Sequence, residues 1–293
     1  MSPSTKSKKE FHVMTDYSNP LLYIVRFVSE TVRWVFFVIY SFLRGIAKFI
    51  IPNSLLPKKN LNGKIILLTG AGGVLNDQTA QICQKLGAKV YCQNIDVTDK
   101  KAVYRAADLL RHDFGEPDIL INNAGLLNPV PFLECDDDKM SKLIDVNTKA
   151  LFWVTKAFLP KMIERGSGHI VTLSSIAGIL GAPLLVDYSA SKFAAFGFME
   201  SLHLQLELMK APRIPFTTIC PYYVTTPMID DLSITDKRFD LLKSGYVAKK
   251  VVEAIRLEQR VCIVPNQMAI FYSFRSLLPW NIGEAITLGK RVY

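Results

Sequence analysis

The chain has 293 residues, of which 49% are hydrophobic and 21% are charged, and its formal net charge is +9. This length and composition allow one large buried core and exclude a disordered, collagen-like or long-repeat protein. Residues 1–64 hold ten Lys/Arg against three Asp/Glu, so the rest of the chain is nearly neutral, which argues against a nucleic-acid-binding face.

The five cysteines are odd in number and scattered, and they lack the spacing of metal ligands. Such cysteines are typical of buried, reduced thiols in a reducing compartment, and no metal site is predicted. They are Cys83, Cys92, Cys135, Cys220 and Cys262.

The first predicted element is an amphipathic helix over 21–51. At about 100° per residue, its charged side chains fall within roughly 60° of one another, and the other faces are mainly apolar and aromatic. One narrow polar stripe on an apolar helix is typical of a helix that lies in the plane of a membrane interface. The charged residues are Arg26, Glu30, Arg33, Arg44 and Lys48.

Two alternatives to the interfacial helix stay open. The helix could pack on the folded domain, or it could span a bilayer at a tilt from about Leu21 to Leu43. In each case we expect an N-terminal region over 1–60, a basic leader with an anchor, followed by a folded domain over 61–293.

From Gly63 onward, apolar strands alternate with amphipathic helices, which predicts a doubly wound α/β fold with a parallel, Rossmann-like sheet. The predicted strands are Lys64–Thr69, Lys89–Asn94, Asp118–Asn122, His169–Ser174, Phe216–Cys220 and Val261–Val264. The predicted helices are Asp77–Leu86, Asp99–Phe114, Asp136–Arg165, Tyr188–Met209 and Tyr246–Leu257.

Tyr188 and Lys192 are four residues apart at the start of a predicted helix, so their side chains share one face. A nearby ammonium favours the phenolate and is expected to lower the pKa of the tyrosine, as a general acid/base requires. On its own, this pair is weak evidence for a catalytic site, because many surface helices contain it by chance.

Other polar residues lie at the ends of predicted strands or inside a predicted helix, where a polar side chain suggests a specific role. Ser175 follows a buried strand and precedes Tyr188 by 13 residues, and Asn147 lies inside a predicted helix. The run Asn122–Gly125 (Asn-Asn-Ala-Gly) ends another strand, and Pro221 with Thr226 follows a third.

Together and in this order, these features resemble the short-chain dehydrogenases/reductases over roughly Gly63 to Pro265. The resemblance implies that Tyr188 exchanges a proton with the substrate oxygen, that Lys192 lowers its pKa and holds the nicotinamide ribose, that Ser175 binds the substrate oxygen, and that Asn147 anchors a water linked to Lys192. The implied cofactor is NAD or NADP, with the choice open. The implied cofactor-binding residues are Thr69, Gly70, Asp96, Val97, Asn123, Tyr188, Lys192 and Thr226.

Within that family, the hydrophobic leader, the run Ser191–Phe198 and an aromatic residue at Tyr222 look like the membrane-bound retinol and 17β-hydroxysteroid dehydrogenase branch. This implies a lipophilic alcohol or carbonyl substrate, a location at the endoplasmic reticulum membrane or a lipid droplet, and a homodimer as an open alternative.

The sequence departs from the family where the first strand ends. Only 26 residues lie between Thr69 and Asp96, whereas two helices and two strands need roughly 45–50. The interval therefore predicts one helix and one strand, with one helix–strand unit missing. Val74 and Asn76 also stand where the family's turn would place glycines.

Two interpretations of this interval remain. In one, cofactor contacts are lost and the chain is a non-catalytic variant, acting if at all as a scaffold. In the other, 77–94 forms a compact replacement unit and Asp96 holds the ribose.

Overall fold

The computed structural model describes residues 20–50, 53–70, 72–92, 95–229 and 240–269. Contacts within the chain divide it into two units, Met1–Leu56 and Pro57–Tyr293, which are described separately.

In the first unit, helix α1 covers Pro20–Ile50, close to the predicted range. Its described side chains are exposed, and Arg33 pairs with Glu30 at 3.0 Å. The side chains of Arg44 and Lys48 lie outside the described residues. Among the helices that the structure describes, none combines the length and the apolar character that crossing a bilayer requires.

The second unit is built on a parallel sheet, which confirms the predicted α/β class. Within the described residues, six strands follow the order β2-β1-β3-β4-β5-β8, and β6 pairs with β7 in a separate short ladder. The strands are β1 Ile65–Leu68, β2 Lys89–Cys92, β3 Ile119–Asn122, β4 Ile170–Leu173, β5 Phe216–Pro221, β6 Val224–Thr225, β7 Leu242–Lys243 and β8 Val261–Val264. The helices of this unit are α2 Val74–Lys85, α3 Lys100–Phe114, α4 Asp137–Ile144, α5 Ala150–Glu164, α6 Val186–Leu208 and α7 Ser244–Leu257.

Alternate side chains of β1 face two different cores. Ile66 and Leu68 pack in one cluster with residues of α2 and α7, whereas Leu67 packs in the other with residues of α3 and α5. All four residues of β3 are buried as well. These strands are apolar on both faces because helices cover the sheet on both sides.

Two predicted helices differ from the observed ones. Helix α2 begins at Val74, three residues before the predicted start. The predicted helix Asp136–Arg165 is divided into α4, a π-helical turn over Asp145–Lys149, and α5. Such a turn adds one residue to a helical turn and often occurs at functional sites.

The short interval after Thr69 holds one described helix, α2, and one described strand, β2, as predicted. Strand β2 pairs directly with β1 in parallel, with Leu68 opposite Cys92. It forms one edge of the six-stranded sheet. Residues 93–94, the end of the predicted strand, lie outside the described residues.

Lys59 ties the beginning of the second unit to residues far along the chain. Its backbone N–H donates to Arg256 O at 2.6 Å, and its ammonium pairs with Glu258 at 2.8 Å. The same ammonium lies 3.4 Å from Nδ1 of His169, which is fully buried just before β4. Burial lowers the pKa of His169 well below its usual value, so the ring is neutral beside this cation.

Candidate active site

The ends of β1 and β3 are joined by one hydroxyl. Oγ1 of Thr69 accepts hydrogen bonds from the backbone N–H groups of Asn123, at 3.0 Å, and Ala124, at 3.3 Å. Gly70 has φ +79°, and a Cβ there would lie 2.7 Å from Ala124 Cα. Only glycine fits this close approach, so the strand-end turns form one rigid corner.

Asn147 lies in the π-helical turn and is 2% exposed. Its Oδ1 accepts from Leu126 N at 2.7 Å, and its Nδ2 donates to Leu126 O at 2.9 Å and to Ser191 Oγ at 3.0 Å. The side chain therefore fixes the loop after β3 against α6, which carries Lys192. The hydrogen bonds explain why an amide is tolerated inside a helix.

Lys192 is 5% exposed, and its ammonium donates to Leu173 O at 3.0 Å. A Cβ on Gly125 would lie 3.5 Å from Nζ of Lys192 and 3.4 Å from Oδ1 of Asn147. The lack of a side chain at Gly125 keeps space open in front of both polar groups.

Ser175 is buried at the end of β4, where its hydroxyl accepts from Ala177 N at 3.1 Å and faces Pro221 O at 3.4 Å. The neighbouring Ser174 donates to Lys192 O at 3.0 Å, which fixes α6 against β4. The structure thus brings Ser175, Lys192 and Tyr188 to one edge of the sheet.

The ring of Tyr188 is partly buried, with its centroid 5.5 Å from Nζ of Lys192. The predicted lowering of the tyrosine pKa is wrong for this structure. Burial raises the pKa of Tyr188 to about 12, although hydrogen bonding with Ser175 acts in the opposite direction. Burial also lowers the pKa of Lys192 to about 8, because desolvation disfavours the charged form of each group.

The remaining predicted cofactor residues, Asp96, Val97 and Thr226, lie on other segments of the second unit. Asp96 is exposed, and its Oδ1 accepts from N and Oγ1 of Thr98 at 2.9 and 2.7 Å. Val97 is buried and lines a cavity of about 20 Å³ together with Thr69. Thr226 follows β6, where its hydroxyl donates to Val224 O at 3.3 Å.

Two residues that sequence reasoning missed position the site. Asp187 is 7% exposed, accepts from Asn128 Nδ2 at 2.8 Å and accepts from Tyr188 N at 2.7 Å. It holds the loop after β3 against the residue that carries the phenol. An acidic residue in the first turn of a helix was the available signal.

Asn76 is the second missed residue. It is 2% exposed in the first turn of α2, and its Nδ2 donates to the carbonyl oxygens of Thr69 and Gly70. The amide thus points back onto the end of β1. An asparagine near a helix start after a glycine turn is a capping signal, but the sequence did not reveal which carbonyls it would bind.

Comparison with known proteins agrees with these features. A family model described as short chain dehydrogenase matches residues 62–237. The human epidermal retinol dehydrogenase 2 is 35% identical over 274 residues, covering 85% of this chain and 88% of that protein. The human 17-beta-hydroxysteroid dehydrogenase 13 is 30% identical over 276 residues, covering 86% and 90%.

Solved structures share the fold. A short chain dehydrogenase/reductase from Burkholderia phymatum in complex with NAD has a TM-score of 0.64 at 21% identity, covering 80% of this chain and 97% of that one. A short chain dehydrogenase from Burkholderia cenocepacia in complex with NADP has a TM-score of 0.65 at 23% identity, covering 74% and 95%.

Proposed function

The chain belongs to the short chain dehydrogenase family, and on that premise we propose that it is a membrane-associated oxidoreductase. It interconverts a lipophilic alcohol, such as a retinoid or a steroid, and the corresponding carbonyl compound with NAD or NADP. The observation that carries the proposal is the assembly of Ser175, Tyr188 and Lys192 at one edge of the sheet, with Asn147 bracing it.

The residues present fit a nicotinamide cofactor. The space at Gly125 in front of Lys192 suits a ribose, whose hydroxyls an ammonium can bind. Among the described residues no side chain caps the start of α2, after Gly73, so its first amides suit a pyrophosphate. Asn76 leaves that region clear because it is folded back onto β1. When bound, the cofactor supplies the hydride acceptor or donor.

Tyr188, Lys192 and Ser175 have different roles in the proton transfer. Tyr188 holds a proton under neutral conditions, since burial raises its pKa, and it donates that proton to a carbonyl oxygen during reduction. In the oxidation direction, the phenolate must form beside the ammonium of Lys192. Ser175 orients the substrate oxygen toward the phenol. Asp187 and Asn128 keep the Tyr188 turn in place.

Helix α1 supports the membrane part of the proposal. Its exposed apolar side chains and its few charged ones fit a helix lying in a membrane interface. A substrate that partitions into the bilayer would then be concentrated near the enzyme. We place the protein at the endoplasmic reticulum membrane or at a lipid droplet, with its second unit in a reducing compartment.

Turnover is the direct test of the proposal. The full chain, reconstituted in phospholipid vesicles, would be incubated with retinol or a 17β-hydroxysteroid and either NAD or NADP. We expect reduced nicotinamide to form with at least one pair, and not to form with Tyr188→Phe. Absence of product with all pairs, from a protein that melts cooperatively, would contradict the proposal.

That negative outcome would favour the second candidate, a non-catalytic variant that at most acts as a scaffold. The observation behind it is the interval after Thr69, which holds one described helix and one described strand. We infer that a helix–strand unit of the family's longer form is missing there. Flotation of the chain with vesicles would test the membrane part under either outcome.

A further inference from the structure

Basic side chains gather where the chain enters the second unit. From Pro57 onward the chain holds 28 Lys/Arg against 23 Asp/Glu. Three short segments, 57–60, 207–213 and 256–260, hold six of these Lys/Arg and only two Asp/Glu, so they supply most of the net positive charge. We call these segments the cationic patch, and its basic residues are Lys58, Lys59, Lys210, Arg213, Arg256 and Arg260.

Ion pairs and hydrogen bonds hold the three segments together. Glu258 pairs with Lys59 through one carboxylate oxygen and with Arg213 through the other, each at 2.8 Å. Arg256 donates from Nε to the backbone oxygen of Lys59 at 3.2 Å. Arg260 lies just before β8, which pairs with β5, and Arg213 lies shortly before β5. The cationic patch therefore lies at the amino ends of the strands.

The positive charge of the patch is presented to solvent. Lys58, Lys210, Arg213 and Arg260 are exposed, and the side chain of Arg213 is 77% exposed although it pairs with Glu258. Exposed charges of one sign create a field that reaches about one Debye length, roughly 8 Å at physiological ionic strength. The complementary partner is a surface that carries dense negative charge.

Two exposed apolar side chains lie within the patch and distinguish between anionic partners. Leu208 and Met209, directly before Lys210, are 68% and 64% exposed. Basic side chains beside exposed apolar ones are typical of a surface that lies in a membrane interface. Nucleic acid fits less well, because the three segments contain no aromatic residue on which a base could stack.

The course of the chain also favours lipid. Only seven residues separate Ile50, the end of α1, from Lys58. If α1 lies in a membrane interface, this short connection keeps the patch close to the lipid surface. The strength of interfacial binding rises with buried apolar area and with electrostatic attraction to anionic lipids. Helix α1 would supply chiefly the first contribution, and the patch the second.

The start of α4 has the opposite charge. Asp136, Asp137 and Asp138 are consecutive and exposed, and the preceding Cys135 has its Sγ 3.8 Å from Oδ2 of Asp187. This acidic run therefore lies beside the turn that carries the phenol, at the carboxyl edge of the sheet. An anionic surface repels it, whereas the same surface attracts the patch.

We propose that the cationic patch, together with Leu208 and Met209, docks the second unit on a bilayer surface that contains anionic phospholipid. The basic side chains pair with lipid phosphate groups, and the two apolar side chains enter the headgroup region. The inference rests on the proposed function, because it names the surface through which that membrane-associated enzyme meets the lipid. Docking at the amino ends of the strands leaves the edge with Tyr188 uncovered.

Vesicle flotation measures this docking. The full chain would be mixed with vesicles of phosphatidylcholine alone, or of phosphatidylcholine with phosphatidylserine, at low and at high salt. We expect phosphatidylserine to raise the partition coefficient about 10- to 100-fold at low salt, because each Lys or Arg near an anionic surface adds to the attraction. High salt should remove most of this gain and leave the binding to phosphatidylcholine alone nearly unchanged.

Two triple variants remove the same charge from different places. The patch variant carries Lys210→Gln, Arg213→Gln and Arg260→Gln. The control variant carries Lys100→Gln, Lys101→Gln and Arg105→Gln, all exposed in the first turns of α3. The patch variant should lose at least about tenfold of its partitioning onto the mixed vesicles and keep its binding to phosphatidylcholine alone. The control should behave as the parent chain.

Two further measurements separate docking from a structural role. Basic residues near helix ends also stabilise the helix dipole. If that were the whole role of the patch, its variant would have a lower thermal midpoint without lipid and an unchanged preference for phosphatidylserine. The double variant Leu208→Gln, Met209→Gln should lower partitioning onto both kinds of vesicle, about threefold or more, because apolar contact does not depend on lipid charge.

The outcomes distinguish this inference from the proposed function. Equal partitioning of the parent chain onto both kinds of vesicle, or equal losses in the patch and control variants, would overturn the inference alone. Release of vesicle-bound protein by duplex RNA at matched phosphate concentration would also overturn it, since the patch would then prefer nucleic acid. Failure to float with either kind of vesicle would contradict the membrane part of the proposed function as well, while turnover of retinol tests the catalytic part separately.

Discussion

The two halves of the sheet hold their carboxyl ends in different ways. Around Tyr188, the hydrogen bonds join distant parts of the chain: Asn147 to Ser191 across 44 positions and Lys192 to Leu173 across 19. At the nucleotide turn two side chains make local bonds, with Asn76 reaching Thr69 across 7 positions and Asp96 bonding Thr98 across 2, whereas the Thr69 hydroxyl reaches Asn123 across 54.

This difference explains how the chain can be short in one half and intact in the other. The catalytic half is held by contacts among β3, β4, β5 and α6. The contacts named for it involve no residue of α2 or β2. Besides the backbone pairing of β1 with β3, the hydroxyl of Thr69 links the halves by accepting from Asn123 and Ala124. Variants in the nucleotide half should therefore change mainly the affinity for NADH, and variants around Tyr188 should change mainly kcat.

The largest effect is expected for Tyr188→Phe. Loss of the proton-transferring group should lower kcat about 10²- to 10⁴-fold and leave NADH affinity nearly unchanged. Steady-state turnover and nicotinamide fluorescence would be measured side by side. Tyr104→Phe, at a partly exposed position on α3, is the control and should retain activity. A parallel loss of NADH binding in Tyr188→Phe would show that the halves are not separable.

Lys192→Met should be more stable than the parent chain at pH 7, by about 1–3 kcal/mol. Burial lowers the pKa of Lys192 from 10.5 to about 8, and each pKa unit is worth about 1.4 kcal/mol. The lost bond to Leu173 O offsets about 1 kcal/mol of the gain.

The stability difference between Lys192→Met and the parent chain should depend on pH. Between pH 8 and 10.5, the unfolded chain keeps the lysine proton and the folded chain has released it, so stability of the parent chain rises with pH. The advantage of Lys192→Met should therefore shrink across this window. Denaturant titrations at pH 7 and pH 10 would measure the unfolding free energy of both proteins. The same difference at both pH values would contradict the lowering of the Lys192 pKa by burial.

Asn76→Ala and Asn147→Ala compare the two halves directly. Each removes a buried amide with at least two hydrogen bonds, and each should cost about 2–3 kcal/mol of unfolding free energy. Their functional effects should differ. Asn76→Ala should mainly raise the Kd for NADH, whereas Asn147→Ala should mainly lower kcat. If both variants changed the same parameter, the nucleotide turn and the Tyr188 cluster would not act separately.

The smallest effect is expected for Glu30→Ala on α1. The Arg33–Glu30 pair has side chains that are 76% and 60% exposed, and such pairs contribute less than about 0.5 kcal/mol. The thermal midpoint of the second unit should stay unchanged, as followed by calorimetry. Arg33→Ala is the matched variant. A clear shift in either would mean that the first unit contributes to the stability of the second.

Much of the fold could be predicted because its signals are periodic. The strands Ile119–Asn122 and Ile170–Leu173 are buried throughout and, apart from Asn122 and Thr172, apolar, which is the pattern typical of a strand buried on both faces. Helical spacing placed Tyr188 and Lys192 on one face, and the resemblance to the family added Ser175 to the same expected site. The single helix and strand after Thr69 followed from chain length alone.

Features that depend on tertiary contacts escaped prediction. The π-helical turn at Asp145–Lys149 interrupts a helical pattern with no local sign, since its reason is the distant partner of Asn147. The pKa of Tyr188 was predicted in the wrong direction because the sequence showed the cation and not the burial. The orientation of the Asn76 side chain toward β1 likewise depends on backbone carbonyl groups at the end of the folded strand.

The contacts of Lys59 have a mechanical consequence. A pull transmitted along the chain from the first unit enters the second at Lys59, which is tied to Arg256, Glu258 and His169. His169 precedes β4 and Ser175 follows β4. The pulling force therefore acts at the amino ends of the strands, whereas the reacting groups lie at the carboxyl ends. A pull on the chain before Lys59 would thus act first on these contacts and only then on the turn that carries Tyr188.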